Sequence, residues 1–196
     1  MTLPPMSRRT VGDLFEQAGS TAPTPGGGSV SALCGMLGIA LILKALRISI
    51  RKNEDRDSYA ALDADLVRLA DALAEDAEAD ERAFQAYIDA AGLPRTSEPE
   101  KEARGAALGR AAIVATDAAL ATLRHAREAF AISRALEPAI KDSIRADLVA
   151  GRELLRVVRS VAVENAQTNL RSLKDEAERQ RLSHVLDRDG AADAFA

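Results

Sequence analysis

Asp80 and Asp147 are the acids whose positions in this sequence ask for an explanation. An apolar stripe runs through Leu62, Leu66, Leu69 and Leu73 at helical intervals, and its continuation lands on Asp80 and then Phe84. A carboxylate therefore interrupts an apolar face, as Asp76 does one turn earlier. Such an acid must find a partner, shift its pKa or move a proton. The competing reading is a solvated acid within the run from Glu75 to Glu81. Farther on, Leu154, Val158 and Val161 define a second apolar face. The same face carries Gly151 and Asp147 behind them and Asn165 and Asn169 ahead. Each amide offers a donor and an acceptor, which suits either a polar heterocycle or a helix–helix hydrogen bond. Asp80 is thus the candidate proton-transfer group. Asp147, Asn165 and Asn169 are candidates to orient substrate or water.

Two further constellations stand out. In Pro23-Thr24-Pro25-Gly26-Gly27-Gly28-Ser29, prolines set an extended approach, glycines permit positive φ, and Ser29 is placed to cap the next helix. Free amides at that helix start would suit an anion or a carbonyl, although a plain loop has the same composition. No Gly-Lys-Ser/Thr closes the turn, so it is not a phosphate-binding Walker loop. Lys44, Arg47 and Arg51 share one helix face, with Lys52 adjacent. They are expected to face the Gly-rich pocket and hold an anionic group, unless they are solvated cations at a helix C-terminus. No metal site is expected, because His125 and His184 stand far apart and no Cys pair exists.

These groups need long helices to position them. The chain has 196 residues, 47% of them hydrophobic, enough for a proper core. Forty are Ala, which favours closely packed helices. Aromatic residues are 3% with no Trp, which excludes a stacking platform for single-stranded nucleic acid. The net charge of −4 offers nothing to draw the chain onto nucleic acid or a membrane. The most apolar stretch, Val30 to Leu43, is short of the roughly 20 residues of a membrane span and is expected to be the most buried helix. Cys34, the lone cysteine, is expected as a small buried hydrophobe. With no signal peptide evident, a cytoplasmic location is expected.

The periodicity predicts helices over Val11–Gln17, Val30–Arg51, Ser58–Ala91, from Ser97 toward Leu136 with one break, and Ser143–Leu173 with a helical tail to Leu186. Thr10 and Ser97 are the expected caps. The fold class is all-α: one bundle of long antiparallel helices over residues 1–196, frayed from about 187.

Taken together, the motifs resemble the cyclodeaminase/cyclohydrolase family. That family holds the cyclodeaminase domain of formiminotransferase-cyclodeaminase and bacterial methenyltetrahydrofolate cyclohydrolases. Pro23-Thr24-Pro25-Gly26-Gly27-Gly28-Ser29-Val30 is similar to its signature. Asp80-Glu81-Arg82-Ala83-Phe84 resembles its Asp-x-x-Ala-Phe, and Asn165 through Leu170 its Asn-Val-x-x-Asn-Leu. Ala146-Asp147 stands where the family has Ser-Asp. At the end of the second helix the sequence departs from the family, with Arg47 and Arg51 in place of Asn and Gly. The resemblance implies a homodimer and a tetrahydrofolate adduct as substrate, with no tightly bound cofactor. It implies a site built from Pro25, Gly26, Gly27, Gly28 and Ser29 with neighbouring helices. The implied reaction opens or closes the ring bridging two folate nitrogens. Two alternatives stay open: a diverged enzyme acting on another small anionic metabolite, and a non-catalytic helical dimer that binds a ligand or partner.

Overall fold

The computed structural model describes residues 4–51 and 54–195, with only the backbone described for 54–56; Lys52 lies outside the described residues. Six helices follow in order: α1 (Val11–Ala18), α2 (Gly27–Ile50), α3 (Ala60–Ala91), α4 (Glu98–Leu136), α5 (Arg145–Ser172) and α6 (Glu176–Asp189). No strand occurs among the described residues. The caps sit where the side chains demand them. Asp13 N–H donates to Thr10 Oγ1 and Thr10 N–H to Asp13 Oδ2, both at 3.1 Å. Ser97 and Glu100 form the same reciprocal box at the start of α4. Gly92 ends α3.

Helices α2 to α5 form the bundle. Each packs on its chain neighbours, α5 closes back on α2, and α2 and α4 face each other across the core. Short connections make adjacent helices antiparallel. The core is Leu-, Ile- and Ala-rich: Ile39, Ile42 and Leu46 of α2, Leu66, Leu69 and Leu73 of α3, Leu120 and Leu123 of α4, and Leu148, Leu155 and Val158 of α5 are all buried. The α2–α5 crossing needs glycine. A Cβ on Gly38 would sit 2.9 Å from the Gly151 carbonyl oxygen, and one on Gly151 would sit 2.6 Å from that of Gly38. A Cβ on Gly35 would meet Val158 at 2.7 Å. The two backbones are therefore closer than side chains allow.

Several expectations are corrected. Ser29 does not cap α2; the helix starts at Gly27 with Gly26 as N-cap, and Ser29 lies buried in its first turn. No described glycine has positive φ, and the Thr24–Pro25 peptide is cis. α4 runs unbroken to Leu136, because its Ala-rich sequence contains no proline beyond Pro99 in the first turn, where the ring is tolerated. The tail is a separate helix, capped by Asp175, whose side chain accepts from Glu178 N–H. The described tail, through Phe195, is not frayed: Phe195 is buried, its ring 5.3 Å from that of Phe130. Cys34 is only half-buried. The apolar helix also continues beyond Leu43: α2 and the stretch Glu98–Ala139 are long and apolar enough to cross a membrane, yet α2 is the most heavily buried helix of the bundle.

Candidate functional site

The Gly-rich turn and stretches of α2, α3, α4 and α5 enclose a cavity of about 360 Å³. Pro23, Thr24, Gly26, Gly27 and Gly28 form one wall. Asp80, Phe84 and Tyr87 of α3 form the second, and Asn165, Thr168, Asn169 and Ser172 of α5 the third. Gly28 is required here for space. A Cβ on it would lie 2.2 Å from Asp80 Oδ1, so only glycine lets the carboxylate lie against the backbone of α2.

Asp80 is held in that position. The buried Ser29 hydroxyl donates to Asp80 Oδ2 at 2.7 Å, and no other hydrogen bond to Asp80 occurs among the described residues. Ser29 was expected as a cap. It acts instead through this bond, with Gly26 at the N-cap position of α2. Glu81 braces the turn from outside, accepting from Thr24 Oγ1 at 3.0 Å and lying 3.7 Å from Arg9 Nη2. A carboxylate with one oxygen anchored, beside the positive end of a helix, can take up or return a proton and stabilise a developing cation. The exposed faces of Phe84 and Tyr87 suit a flat ring. Asn165 and Asn169, one turn apart, can read its polar edge.

The structure brings together Gly26, Gly27, Gly28, Asp80, Asn165 and Asn169 as cavity lining. Pro25 is buried behind that wall and is not among the lining residues. The remaining candidates lie elsewhere in the chain. Arg47 is about 28 Å along α2 from Gly28 at 1.5 Å per residue. It makes a two-pronged pair with Asp63, Nε to Oδ2 at 2.7 Å and Nη2 to Oδ1 at 2.8 Å. That hydrogen bond holds the Arg47 pKa above the ordinary arginine value, against partial burial, which opposes it. Arg51 lines a separate cavity beside Arg47, with Asp57 and Tyr59. Lys44 Nζ lies 2.6 Å from Asp147 Oδ2. Asp147 is thus paired about 27 Å along α5 from Asn165. The basic face does not reach the Gly-rich pocket because helical spacing fixes direction around the axis and says nothing of position along it.

Asp76, the other interrupting acid, is buried and bonded to His125 Nδ1 at 2.7 Å. This pair ties α3 to α4 and resolves the cost of a buried carboxylate. Spacing alone did not single out Tyr87, Thr168 or Ser172 as lining. Their signal was available, since Tyr87 follows Asp80, and Ser172 follows Asn165, by two helical turns. Among the described residues, no three His, Cys, Asp or Glu side chains gather as metal ligands.

Comparison with known proteins agrees with this geometry. The profile of the formiminotransferase-cyclodeaminase family matches residues 10–188. A methenyltetrahydrofolate cyclohydrolase of Methylorubrum extorquens is 32% identical over 176 residues, covering 83% of this chain and 74% of that protein. The formimidoyltransferase-cyclodeaminase of Sus scrofa is 31% identical over 193 residues. That of Gallus gallus is 26% identical over 183 residues. The matches cover 87% and 92% of this chain respectively, but only 33% and 34% of those longer proteins. The crystal structure of formiminotetrahydrofolate cyclodeaminase from Thermotoga maritima superimposes with a TM-score of 0.83 at 19% identity, covering 96% of this chain and 92% of that one, which establishes the shared all-α fold. By the profile match along nearly its whole length, this chain belongs to the formiminotransferase-cyclodeaminase family.

Proposed function

We propose that the chain is an enzyme that opens or closes the one-carbon bridge of a tetrahydrofolate adduct, with Asp80 as its proton-transfer group. The observation that carries this reading is the Asp80 carboxylate, anchored by Ser29 in a cavity shared with Asn165 and Asn169. In the hydrolytic direction, water adds to the cationic bridging carbon and its proton passes to Asp80. The bond from that carbon to one ring nitrogen then breaks as Asp80 returns the proton to the departing nitrogen. The hydroxyl left on the carbon loses its own proton to solvent as the formyl carbonyl forms, so the balance is one water consumed, one proton released and one formyl group left on the other nitrogen. Methenyltetrahydrofolate hydrolysis is favoured because the cyclohydrolase relative is matched over most of its length. In a cyclodeaminase the same acid would serve ring closure with release of ammonia.

The absorbance of methenyltetrahydrofolate, with and without protein and corrected for spontaneous hydrolysis, tests the reading. Enzyme-dependent decay supports it. Ammonia release from the formimino adduct, without that decay, would select the cyclodeaminase reaction. Failure of both would remove the folate assignment.

A homodimer is part of the proposal. Leu37 and Ile48 of α2 and Val149 and Val157 of α5 are exposed apolar side chains on adjacent helices, a patch suited to a second copy. A two-fold axis lying in the plane of that patch and perpendicular to the helices would set the Lys44–Asp147 end of one chain over the Gly27–Asn165 end of the other. Asp147 would then act across the interface. Mixing inactive Asp80→Asn and Asp147→Asn variants tests this, because a shared site regains activity in the mixed dimer. A cytoplasmic setting fits the lone thiol of Cys34.

A further inference from the structure

Four of the five acids from Glu75 to Glu81 are engaged rather than solvated. Asp76 meets His125, Glu78 accepts from Met6 N–H, Asp80 accepts from Ser29, and Glu81 accepts from Thr24. Glu81 differs from the others in holding both ends of one loop. Its Oε1 takes the Thr24 hydroxyl, and its Oε2 faces the Arg9 guanidinium. Arg9 precedes α1 and Thr24 follows it, so one carboxylate closes the loop that contains α1.

Arg9 is committed to that closure. Its side chain is 7% exposed, and a guanidinium so buried needs its donors engaged and its charge paired. Nε–H donates to the Pro4 carbonyl at 3.1 Å, and Nη1–H to Gln17 Oε1 at 2.9 Å. Gln17 stands in the last turn of α1, so Arg9 ties the start of the loop to the far end of that helix. The helix itself adds little grip on the bundle. None of its residues is buried, and Val11 and Phe15 are exposed. Its Leu14 packs, half-buried, on the small cluster of Met6, Ala32, Leu33 and Ala77. Where the loop reaches the cavity, Pro23 and the three glycines carry no polar side chain. Thr24 Oγ1 is therefore the one side-chain hydrogen-bonding atom of that wall, and its acceptor is Glu81.

We infer that Arg9, Glu81 and Thr24 form a clasp that positions the Gly-rich wall against the substrate. Glu81 and Asp80 are consecutive, so one turn of α3 carries both the acid that faces the cavity and the acid that holds the adjoining wall. Arg9 and Glu81 are not among the lining residues; they are positioning residues that act through Thr24. Asp80 keeps its own anchor in Ser29. Release of the clasp thus displaces the wall and leaves the proton-transfer group in place. Contacts that bear equally on bound substrate and transition state alter KM and spare kcat. The inference rests on the folate reading for the identity of the substrate, and on the clasp alone for the placement of the wall.

The test uses the full chain with Glu81→Ala, Thr24→Val, the double variant and Thr24→Ser. In Glu81→Ala and in Thr24→Val, amide hydrogen exchange between Gly12 and Gly28 is expected to quicken about fivefold, while α4 and α5 exchange as in the parent. With methenyltetrahydrofolate as substrate, each of the two is expected to raise KM about fivefold with kcat within about twofold, the effect of one lost hydrogen bond. Both break the same clasp, so the double variant is expected to stay near fivefold instead of reaching about 25-fold. Thr24→Ser keeps the hydroxyl and is expected to hold KM within about twofold of the parent. A fall in kcat at unchanged KM would report only a smaller folded fraction and overturns the inference. Unchanged kinetics, or additive effects in the double variant, overturn it as well. If the parent acts on neither methenyltetrahydrofolate nor the formimino adduct, the folate reading fails and exchange alone decides the clasp. Quickening confined to Gly12–Gly28 upholds it; unchanged exchange, or quickening throughout the bundle, overturns it.

Discussion

The two ends of α2 make a controlled comparison within one helix. At the N-terminal end, Gly28 and Ser29 meet a carboxylate that has one hydrogen-bond donor among the described residues and faces a cavity. At the C-terminal end, Lys44 and Arg47 each meet an acid that neutralises them, Asp147 and Asp63. Both ends place charge at the surface of the core. The first leaves a carboxylate with unused capacity beside an enclosed volume, whereas at the second the cavity beside Arg47 is lined by an arginine already paired with Asp63 and by Arg51 at the helix end. A charged face is therefore not a site until its charges are seen to lack partners. The Lys44–Arg47 face does not meet that criterion.

Substitutions at the two ends should separate sharply. Asp80→Asn keeps shape and removes the charge; turnover of methenyltetrahydrofolate is expected to fall about 10²- to 10⁴-fold, with an unchanged melting transition. Turnover within a few-fold of the parent would erase the distinction between the ends. Gly28→Ala should come next. The new methyl would occupy the space of Asp80 Oδ1, 2.2 Å away, and turn the carboxylate off the Ser29 hydroxyl. A loss of more than about tenfold is expected, read in kcat while circular dichroism shows the bundle intact. Asn165→Ala removes one amide from the far wall and is expected to raise KM about fivefold, the worth of one hydrogen bond of ~1 kcal/mol. At the other end, Arg47→Ala should leave kcat and KM within about twofold. Its exposed pair with Asp63 contributes less than about 1 kcal/mol, measurable as a small shift in a urea midpoint.

Much of the architecture was legible because it follows from local rules. Thr10 with Asp13, and Ser97 with Glu100, announce helix starts by side-chain chemistry alone. The Leu66–Leu69–Leu73 stripe announces a buried face, and all three are fully buried. Gly35 and Gly38, unfavourable in a helix, were readable as points of close approach, and both meet α5. The pocket was half legible. Asp80, Asn165 and Asn169 broke apolar periodicity and do share one cavity. What periodicity could not supply was distance along the axis and the identity of partners across it. Asp147 shares a face with Asn165 yet lies at the opposite end of α5. Lys44 sits on that acid, and His125 on Asp76, through contacts between residues far apart in sequence.

The Gly38–Gly151 crossing acts as a fulcrum. Two stiff rods touch there backbone to backbone, and both carry walls of the pocket on the same side of the contact. Gly28 lies about 15 Å from the crossing along α2, and Asn165 about 21 Å along α5. A methyl group inserted at the fulcrum spreads the rods, and their far ends carry the spread to the cavity. Misplacement of about 1 Å at a reacting centre can cost on the order of a hundredfold in rate. Neither glycine lines the cavity. A screen for activity would nonetheless score both with the residues that do, because the lever arms convert a packing fault into a misaligned reaction.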